Sequence, residues 1–302
     1  MKLKILTYNI AMLPDPLGSF KDERAAEFIN LISKTSPAYD FICFQEVFDE
    51  RIREFLQKQL QPMYPYIIEK SSDHDLLNQD SGLFFASKFP ILSHTFREYN
   101  AKQFLTGDWI SDKGILIARI DIGQNEKKQI LHIYVTHLQS TEAFYKVREK
   151  QLAQLGQTII KALETERKKE VDWPTCVVLV GDFNVIGGSE EYKRMMSLLG
   201  YLRDLFHEKN PEDYGYTWNS HENLYIHHTA EDDHDMQRLD YILTFNSIPY
   251  ADDNCEEIIP LRKVDCKACN IVTARSTDYI KFIPPGFDLS DHYGLESIIE
   301  IG

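Results

Sequence analysis

The chain has 302 residues, and its 33 lysines and arginines against 47 aspartates and glutamates give a formal charge of −14. A hydrophobic fraction of 43% is that of a globular protein and excludes disordered and fibrous classes. A chain of about 300 residues buries roughly three quarters of its unfolded surface. The acidic balance disfavours nucleic acid as a partner, because nucleic-acid affinity rests mainly on cationic side chains that neutralise phosphates.

No internal repeat, low-complexity tract or long linker divides the sequence, which predicts a single domain over residues 1–302. The sequence contains no apolar run of about 18 residues. Its first residues enter an apolar strand without the hydrophobic core of a signal peptide. We therefore expect a soluble monomer that is cytoplasmic by default, with secretion or delivery to a host membrane by another route left open.

Four short apolar runs each end abruptly in polar side chains, a pattern typical of buried strands. The runs and their polar ends are Lys4–Tyr8 before Asn9, Phe41–Phe44 before Gln45 and Glu46, Ile130–Val135 before Thr136 and His137, and Val177–Val180 before Gly181–Asn184. If these strands point the same way, their polar ends meet at one edge of a sheet assembly. Ligands of α/β proteins bind at such edges.

Apolar residues with a 3.6-residue period predict helices between these strands. The helices include Ala25–Ile32, Ile52–Leu60, a long one from about Glu142 to Lys168, and a short one that follows the cap residue Ser189 and ends at Gly200. Further short strands are predicted at Gly82–Ser87, Gly114–Ile120, Leu239–Thr244 and Leu295–Ile301. Because strands outnumber helices, the sequence predicts an α/β fold of two packed mixed sheets with helices outside.

The polar strand ends, with one later residue, form a set of oxygen donors: Asn9, Glu46, Asp182, Asn184 and Asp291. Hard divalent cations such as Mg²⁺ prefer carboxylate and amide oxygens, whereas Zn²⁺ prefers cysteines or several histidines. His137 and His292 add acid–base capacity. This combination suits phosphoryl chemistry, in which the protein positions a water and stabilises charge.

Each of these motifs is weak by itself. A Gly-Asp-Phe-Asn tetrapeptide after a strand is often only a tight turn. Asn9 alone is compatible with a left-handed turn position, and Glu46 alone with a surface ion pair to Arg51 or Arg53. A lone histidine such as His137 is more often structural than catalytic. The joint arrangement is what favours a site.

Six motifs stand in a fixed order: Tyr8-Asn9, Gln45-Glu46, Thr136-His137-Leu138, Gly181-Asp182-Phe183-Asn184, Leu239-Asp240-Tyr241 and Ser290-Asp291-His292. This order resembles the endonuclease/exonuclease/phosphatase superfamily of divalent-metal phosphoesterases over essentially the whole chain. The resemblance implies a four-layer α/β sandwich of two mixed sheets flanked by helices.

The same resemblance implies which residues hold the metal and the phosphate. Glu46 is implied as the principal ligand of Mg²⁺, with Mn²⁺ or Co²⁺ as alternatives. Asn9 is implied to assist it, and the oxygen-donor set above predicts Asp182 and Asp291 as further ligands. Lys113 is expected to bind substrate by neutralising a phosphate oxygen.

The resemblance also implies catalytic roles. His292 is implied as the general base for water, and Asp240 as the residue that orients it. Asp182 and Asn184 are implied on the phosphate and nucleophile side. His137 is implied as a phosphate-binding residue that stabilises the transition state.

Stretches around the motifs are similar to bacterial and mammalian neutral sphingomyelinases. They include Gln45–Phe48, Ser81–Leu83, Ser87–Ile91, Thr136–Gln139, Gly181–Val185, Tyr216–Trp218 and Ser290–Tyr293. The similarity implies hydrolysis of sphingomyelin to ceramide and phosphocholine. Inositol-polyphosphate phosphatases carry Asn-Tyr-Arg where this chain has Asn184-Val185-Ile186, which disfavours that activity. A nuclease or a phosphoinositide phosphatase on the same fold is the alternative.

A Pro-rich segment shortly before the last motif carries large apolar side chains, including Phe282, Ile283 and Phe287. One interpretation is an inward-facing hairpin, and the other is an exposed lip that inserts into a phospholipid membrane surface. Trp109 is expected in a second lip on the same rim. Since an acidic protein reaches a zwitterionic surface mainly through apolar contact, we expect these four residues to touch the membrane.

Overall fold

The structure is a computed structural model that describes residues 1–69, 80–103, 111–123, 129–168, 174–200, 202–229, 235–245, 247–252, 255–279, 281 and 284–302. The strands in chain order are β1 (Lys2–Met12), β2 (Phe41–Val47), β3 (Tyr66–Ile68), β4 (Phe84–Ser87), β5 (Ile91–Glu98), β6 (Gly114–Asp121), β7 (Ile130–His137), β8 (Pro174–Asp182), β9 (Leu202–Asp204), β10 (Trp218–Asn219), β11 (Met236–Gln237), β12 (Asp240–Phe245), β13 (Ser247–Asp252), β14 (Cys255–Pro260), β15 (Val264–Val272) and β16 (Gly294–Ile301). The helices are α1 (Lys21–Lys34), α2 (Glu50–Leu60), α3 (Tyr145–Lys168), α4 (Glu190–Leu199), α5 (Leu205–Lys209) and α6 (Leu224–Thr229).

Two six-stranded mixed sheets form the centre of the fold. Their strand orders are β15-β16-β1-β2-β4-β3 and β5-β6-β7-β8-β12-β9, and β10-β11 and β13-β14 form two smaller pairs. In each large sheet the central pair is parallel, β1 with β2 and β7 with β8. The other pairs of both sheets are antiparallel. The four apolar runs of the sequence are therefore the two central strands of each sheet.

Hydrophobic side chains join four layers. Alternate residues of the central strands, such as Ile5 and Val178, meet between the two sheets in one buried cluster. On the far side of the first sheet, Phe28 of α1 and Ile52 of α2 pack in a second cluster. Leu155 of α3 packs with the outer face of the second sheet. Burial of each such side chain contributes roughly 1.5–3 kcal/mol. The predicted four-layer α/β sandwich is confirmed.

Local sequence signals account for the helix ends. Asp49 caps α2 by accepting a hydrogen bond from the Ile52 N–H, and Ser189 caps α4 by accepting from the Tyr192 N–H. A 3₁₀ turn over Glu142–Phe144 leads into α3, so the long predicted helix begins and ends where expected. These caps satisfy N–H groups that the first helical turn leaves without a backbone acceptor.

Several strands were not predicted from the sequence, among them β5, β9, β10, β11 and the strands from β13 to β15. In β15, a register shift between Cys266 and Ala268 interrupts the alternation of apolar and polar residues. Both Cys266 and Cys269 consequently face the core between the sheets, where they are free thiols. They act as small buried apolar residues.

The predicted membrane contact through Phe287 is wrong. Its side chain is 5% exposed, and its ring packs edge-on against Phe20 and Tyr225. The bridge between Arg275 and Asp288 closes the base of this segment, which turns the neighbouring Phe287 towards the core.

The other three residues proposed for the lips, Phe282, Ile283 and Trp109, lie outside the described residues. Within the part of the chain that the structure describes, no helix is both long enough and apolar enough to cross a membrane.

Candidate active site

The carboxyl ends of β1, β2 and β8 bring three polar side chains into contact across the two sheets. The Asn9 side-chain amide donates to Glu46 Oε1 at 3.0 Å and to Asp182 Oδ2 at 3.1 Å. Glu46 is the last residue but one of β2 in the same sheet, whereas Asp182 ends β8 in the other sheet. Two carboxylates are therefore held beside one amide nitrogen, as expected if the central strands of both sheets end on the same side.

The backbone at this edge is unusual at two of the site residues. Glu46 has φ 58° and Asn184 has φ 51°, both in the left-handed region. Asparagine adopts this region more readily than other residues with a side chain, but for a glutamate it costs about 1–2 kcal/mol. Such conformations persist where the surrounding structure holds them, and they are concentrated at functional sites.

The electrostatic environment makes both carboxylates poor anions in the protein alone. Burial, followed by the charge of Asp291, raises the pKa of Glu46 to about 7. Burial also raises the pKa of Asp182 to about 6, although the charge of His292 acts in the opposite direction. A cation between the two carboxylates would remove this penalty. Oxygen donors in a buried, anionic position fit a hard divalent ion such as Mg²⁺.

Asn9 is oriented by its own backbone neighbour. Its Oδ1 accepts from the Ala11 N–H at 3.2 Å, which turns the amide nitrogen towards Glu46 and Asp182. Asn9 therefore holds the two carboxylates in place, and its role as a metal ligand stays a prediction. Asp291 is half-buried and accepts from the Ser290 hydroxyl at 3.1 Å. Its metal-binding role likewise stays a prediction.

His292 and Asp240 form a buried pair next to the carboxylates. The ring N–H at Nδ1 of His292 donates to Asp240 Oδ2 at 2.8 Å, and Nε2 lies 3.6 Å from Asp182 Oδ2. Burial alone would lower the pKa of His292. The charges of Asp240 and Asp182 outweigh it and raise the pKa well above its ordinary value. The Thr217 hydroxyl accepts from the Asp240 N–H at 3.2 Å, which holds the first residue of β12 in place.

Ligand atoms of Asp182, Asp240 and His292 lie within 4.8 Å of one another, so these three residues form a second geometric candidate for a metal site. We favour the pair Glu46 and Asp182 instead. Asp240 Oδ2 already accepts the hydrogen bond from His292, and a hard cation prefers oxygen to imidazole nitrogen.

Lys113 and His137 complete the cluster from the second sheet. Lys113 is 1% exposed, and its Nζ donates to His137 Nε2 at 3.0 Å and to the Leu138 carbonyl at 2.7 Å. His137 Nε2 also lies 3.4 Å from Asp182 Oδ2 and 3.8 Å from Glu46 Oε1. The charge of Lys113 lowers the pKa of both carboxylates. The Lys113 ammonium and the His137 imidazole thus lie near the two carboxylates, Glu46 and Asp182.

Asn184 is placed by its own backbone and by β7. Its N–H donates to Asp182 Oδ1 at 2.9 Å, and its side-chain amide donates to the Leu138 carbonyl at 3.1 Å. The structure therefore brings together all the residues predicted for the metal and catalytic roles, together with Lys113. Their chemical roles stay predictions.

Arg24 is a supporting residue that the sequence reasoning missed. It is fully buried and donates to the carbonyls of Ile10, Ala11 and Leu289. It thereby ties the end of β1 to the segment that precedes His292. The available signal was an arginine next to the apolar face of α1, where a charge is not expected unless it has several partners.

The chain is similar to known proteins in sequence and in fold. The sequence profile of the Endonuclease/Exonuclease/phosphatase family matches residues 6–292. A sphingomyelinase of Dictyostelium discoideum is 27% identical over 338 aligned residues, which cover 87% of this chain and 72% of that protein. Sphingomyelin phosphodiesterase 5 of Danio rerio is 32% identical over 160 residues, which cover 49% of this chain and 29% of that protein. The chain thus matches less than a third of the second relative's length.

Solved structures share the fold over nearly the whole chain. Sphingomyelinase C from Streptomyces griseocarneus has a TM-score of 0.73 at 22% identity and covers 99% of both chains. A Staphylococcus aureus beta toxin with bound magnesium ions has a TM-score of 0.73 at 21% identity and covers 98% of this chain and 99% of its own. Danio rerio TDP2 complexed with a single-strand DNA product has a TM-score of 0.70 at 18% identity and covers 99% of both chains. At these identities the likeness shows the fold alone.

Proposed function

Because the chain belongs to the endonuclease/exonuclease/phosphatase family, we propose that it is a magnesium-dependent phosphodiesterase that hydrolyses sphingomyelin to ceramide and phosphocholine. The observation that carries the proposed chemistry is the contact of Glu46, Asp182 and His137 with the His292–Asp240 pair nearby. The proposed substrate rests on the sequence similarity to sphingomyelinases.

Magnesium would be held by Glu46 and Asp182, with Asn9 and Asp291 beside them. Glu46 and Asp182 fit a cation because Asp182 is buried and Glu46 is mostly so, and no partner restores the ordinary pKa of either carboxyl group. When bound, the cation supplies positive charge that stabilises the oxygen departing with ceramide. The similarity in fold to a beta toxin that contains magnesium ions supports the choice of ion.

His292 serves as the base for the attacking water. Its Nδ1 is committed to Asp240, so Nε2 is the atom that accepts the proton. In the protein alone, the nearby carboxylates hold the pKa of His292 above its ordinary value. A cation held by Asp182 would reduce the contribution of that carboxylate to this pKa, which favours the unprotonated Nε2 that accepts the proton of water.

The phosphate is bound on the other side of the cluster. Lys113 offers N–H donors to its non-bridging oxygens, and His137 beside it adds a donor when its Nε2 is protonated. The side-chain amide of Asn184 lies next to Lys113, because both donate to the Leu138 carbonyl. The water forms a bond to phosphorus in line with the bond that breaks, and the ceramide oxygen leaves and takes up a proton. These residues act mainly by position and charge.

A nuclease is the second candidate, because the same fold occurs in TDP2 complexed with single-strand DNA. The net charge of −14 argues against it, since a polyanion is repelled by an acidic surface.

Parallel hydrolysis assays distinguish the substrates. Sphingomyelin vesicles, plasmid DNA and phosphoinositides are incubated with the wild-type chain and with His292→Ala, with Mg²⁺ or with chelator. The proposal expects release of phosphocholine that requires Mg²⁺ and is lost in His292→Ala. Nicked plasmid or released inorganic phosphate, without phosphocholine, would instead show that the substrate assignment is wrong.

A further inference from the structure

A polar cleft of about 920 Å³ lies on the outer face of the second sheet, away from the active site. One wall is formed by the edge strand β5 with β6 and β7, and the opposite wall by the polar side of α3. The cleft exists because α3 packs its apolar side, including Leu155 and Ile159, over the centre of the sheet. The outer strands beyond the helix are left facing open space, and most of β5 is exposed.

The lining of this cleft is strongly basic. Its charged and titratable lining residues are His94, Arg97, Arg119, His132 and Lys161, and none of the described residues that line it is acidic. Such a concentration of positive charge stands out in a chain whose net charge is −14. Charges of one sign that line a concave surface concentrate ligands of the opposite charge.

Strand register brings these residues together. Arg119 pairs with Ser93 on one side and with His132 on the other, so the three side chains form one row across β5, β6 and β7. Neighbouring side chains in such a row lie about 5 Å apart. Arg97 and Lys161 stand on the two walls of the cleft. Among the residues that the structure describes, neither of these two side chains forms an ion pair.

We propose that this cleft is a second binding site, specific for a multiply charged phosphate ester. Arginine presents planar donors that match phosphate oxygens, and lysine adds a compact charge from the facing wall. Gln154, Gln157 and Thr158 of α3 offer neutral polar groups for the rest of the ligand. The volume suits a small phosphorylated molecule or the headgroup of an anionic lipid.

The cleft is separate from the catalytic cluster. His132 and His137 belong to the same strand, β7, five positions apart, which corresponds to about 16 Å along an extended chain. His132 is on the outer face of the sheet, whereas the neighbouring Leu131 and Ile133 face the core. Binding at the cleft therefore requires neither the metal nor the proposed sphingomyelin hydrolysis. A failure of the proposed hydrolysis would leave the binding experiment at the cleft unaffected.

The experiment compares two double variants that change the net charge equally. Arg97→Gln with Lys161→Gln removes the two exposed cations of the cleft. Lys146→Gln with Lys150→Gln removes two exposed cations near the start of α3 and serves as the control. Affinity for pyrophosphate is measured by calorimetry in chelator. Binding to phosphatidylcholine vesicles with and without phosphatidic acid is measured by flotation.

We expect the wild-type chain and the control to bind at least one phosphate probe, and the cleft variant to bind it at least about 10-fold more weakly. Loss confined to vesicles assigns the ligand as a lipid headgroup, and loss confined to pyrophosphate assigns a soluble phosphate ester. Equal affinities of the cleft variant and the control, or no binding of either probe, would overturn the proposal. If circular dichroism shows the double variant unfolded, Lys161→Gln alone is used, since this side chain is exposed on α3.

Discussion

At the scale of single residues, the site contains charges that oppose folding in the absence of a ligand. Glu46 and Asp182 are held side by side by Asn9, and burial raises the pKa of both carboxyl groups. A buried carboxylate with a raised pKa makes the folded protein less stable as pH rises and the group ionises. The arrangement is therefore better explained by binding of a cation than by stability of the fold.

Glu46→Gln separates the contribution of this carboxylate to cation binding from its effect on the stability of the fold. We expect Mg²⁺-dependent phosphocholine release to fall by about 10³-fold, because a principal ligand is lost. In chelator at pH 8 the free energy of unfolding should stay the same or increase, since a buried negative charge has been removed. The control is Glu54→Gln, which neutralises an exposed carboxylate of α2. A clear loss of stability in Glu46→Gln with activity retained would contradict the assigned role.

The raised pKa of Glu46, about 7, also predicts how metal affinity depends on pH. Below that pKa the carboxyl group holds a proton that the metal must displace. Affinity for Mg²⁺ should then weaken with falling pH, by up to about tenfold per pH unit for each proton displaced. Protonation of Asp182, with a pKa of about 6, adds to the effect at lower pH. Calorimetric titration with Mg²⁺ at pH 5.5, 6.5 and 7.5 tests this, and equal affinities at all three would refute it.

Asp240 is expected to position His292 and to set its pKa. Asp240→Asn removes one of the charges that raise the pKa of His292, so that pKa falls. A base with a lower pKa is deprotonated at lower pH, and the acidic limb of the kcat–pH profile should move to lower pH. The maximal rate should drop by about 10²-fold or more, because orientation is impaired. A drop in rate with an unmoved acidic limb would indicate a purely structural effect.

At the scale of elements, the parallel pairing of β7 with β8 depends on one glycine. Gly181 has φ 139°, and a Cβ at this position would lie 1.9 Å from the Thr136 carbonyl oxygen of β7. The same two strand ends carry His137 and Asp182, which are register partners. The close approach of the strands thus sets the separation of two site residues.

Gly181→Ala should consequently destabilise the fold by about 3 kcal/mol or more, because backbone must move and the left-handed conformation is strained. The matched control is Gly188→Ala, where φ is 78° but no atom lies within 4 Å of the added Cβ. We expect the control to lose only about 1 kcal/mol. Denaturant unfolding followed by circular dichroism gives both values. Similar losses in the two variants would show that strain in φ, and not the clash with Thr136, governs the site.

The same elements show what the sequence could predict. The central strands and their polar ends were predictable, because an apolar run followed by Gln45-Glu46 or Gly181-Asp182 is a local signal. The short strands β9, β10 and β11 carry too few residues for a periodic signal, and the bulge of β15 disguises its alternation. The left-handed backbone at Glu46 and the hydrogen bonds by which Arg24 joins β1 to Leu289 were not predictable, since both depend on contacts between segments distant in the sequence.

At the scale of the whole molecule, the negative charge is unevenly distributed. Glu46, Asp182, Asp240 and Asp291 lie in the active site, where a metal would offset part of their charge, whereas the cleft beside α3 is lined by cationic residues. Because the net charge of the chain is −14, long-range attraction to a polyanionic surface is weak, and a zwitterionic membrane would be reached mainly by apolar contact. Of the apolar segment before the last motif, Phe287 is buried, while Tyr279 is 71% exposed.

Tyr279→Ser tests this mode of membrane approach. We expect binding to sphingomyelin-containing phosphatidylcholine vesicles to weaken by about 5-fold or more, because an exposed aromatic side chain that can enter the interface is lost. Cleavage of a short-chain, water-soluble sphingomyelin should be unchanged, since the catalytic cluster is untouched. Leu198→Ser, which removes a 47% exposed side chain from α4 on the outside of the second sheet, is the control.

Wild-type binding should also vary little between 50 and 500 mM salt, about the range over which surface charge attraction is screened. Strong loss of wild-type binding with salt, or equal effects of the two substitutions, would show that charge or general hydrophobicity, and not this segment, brings the protein to the membrane.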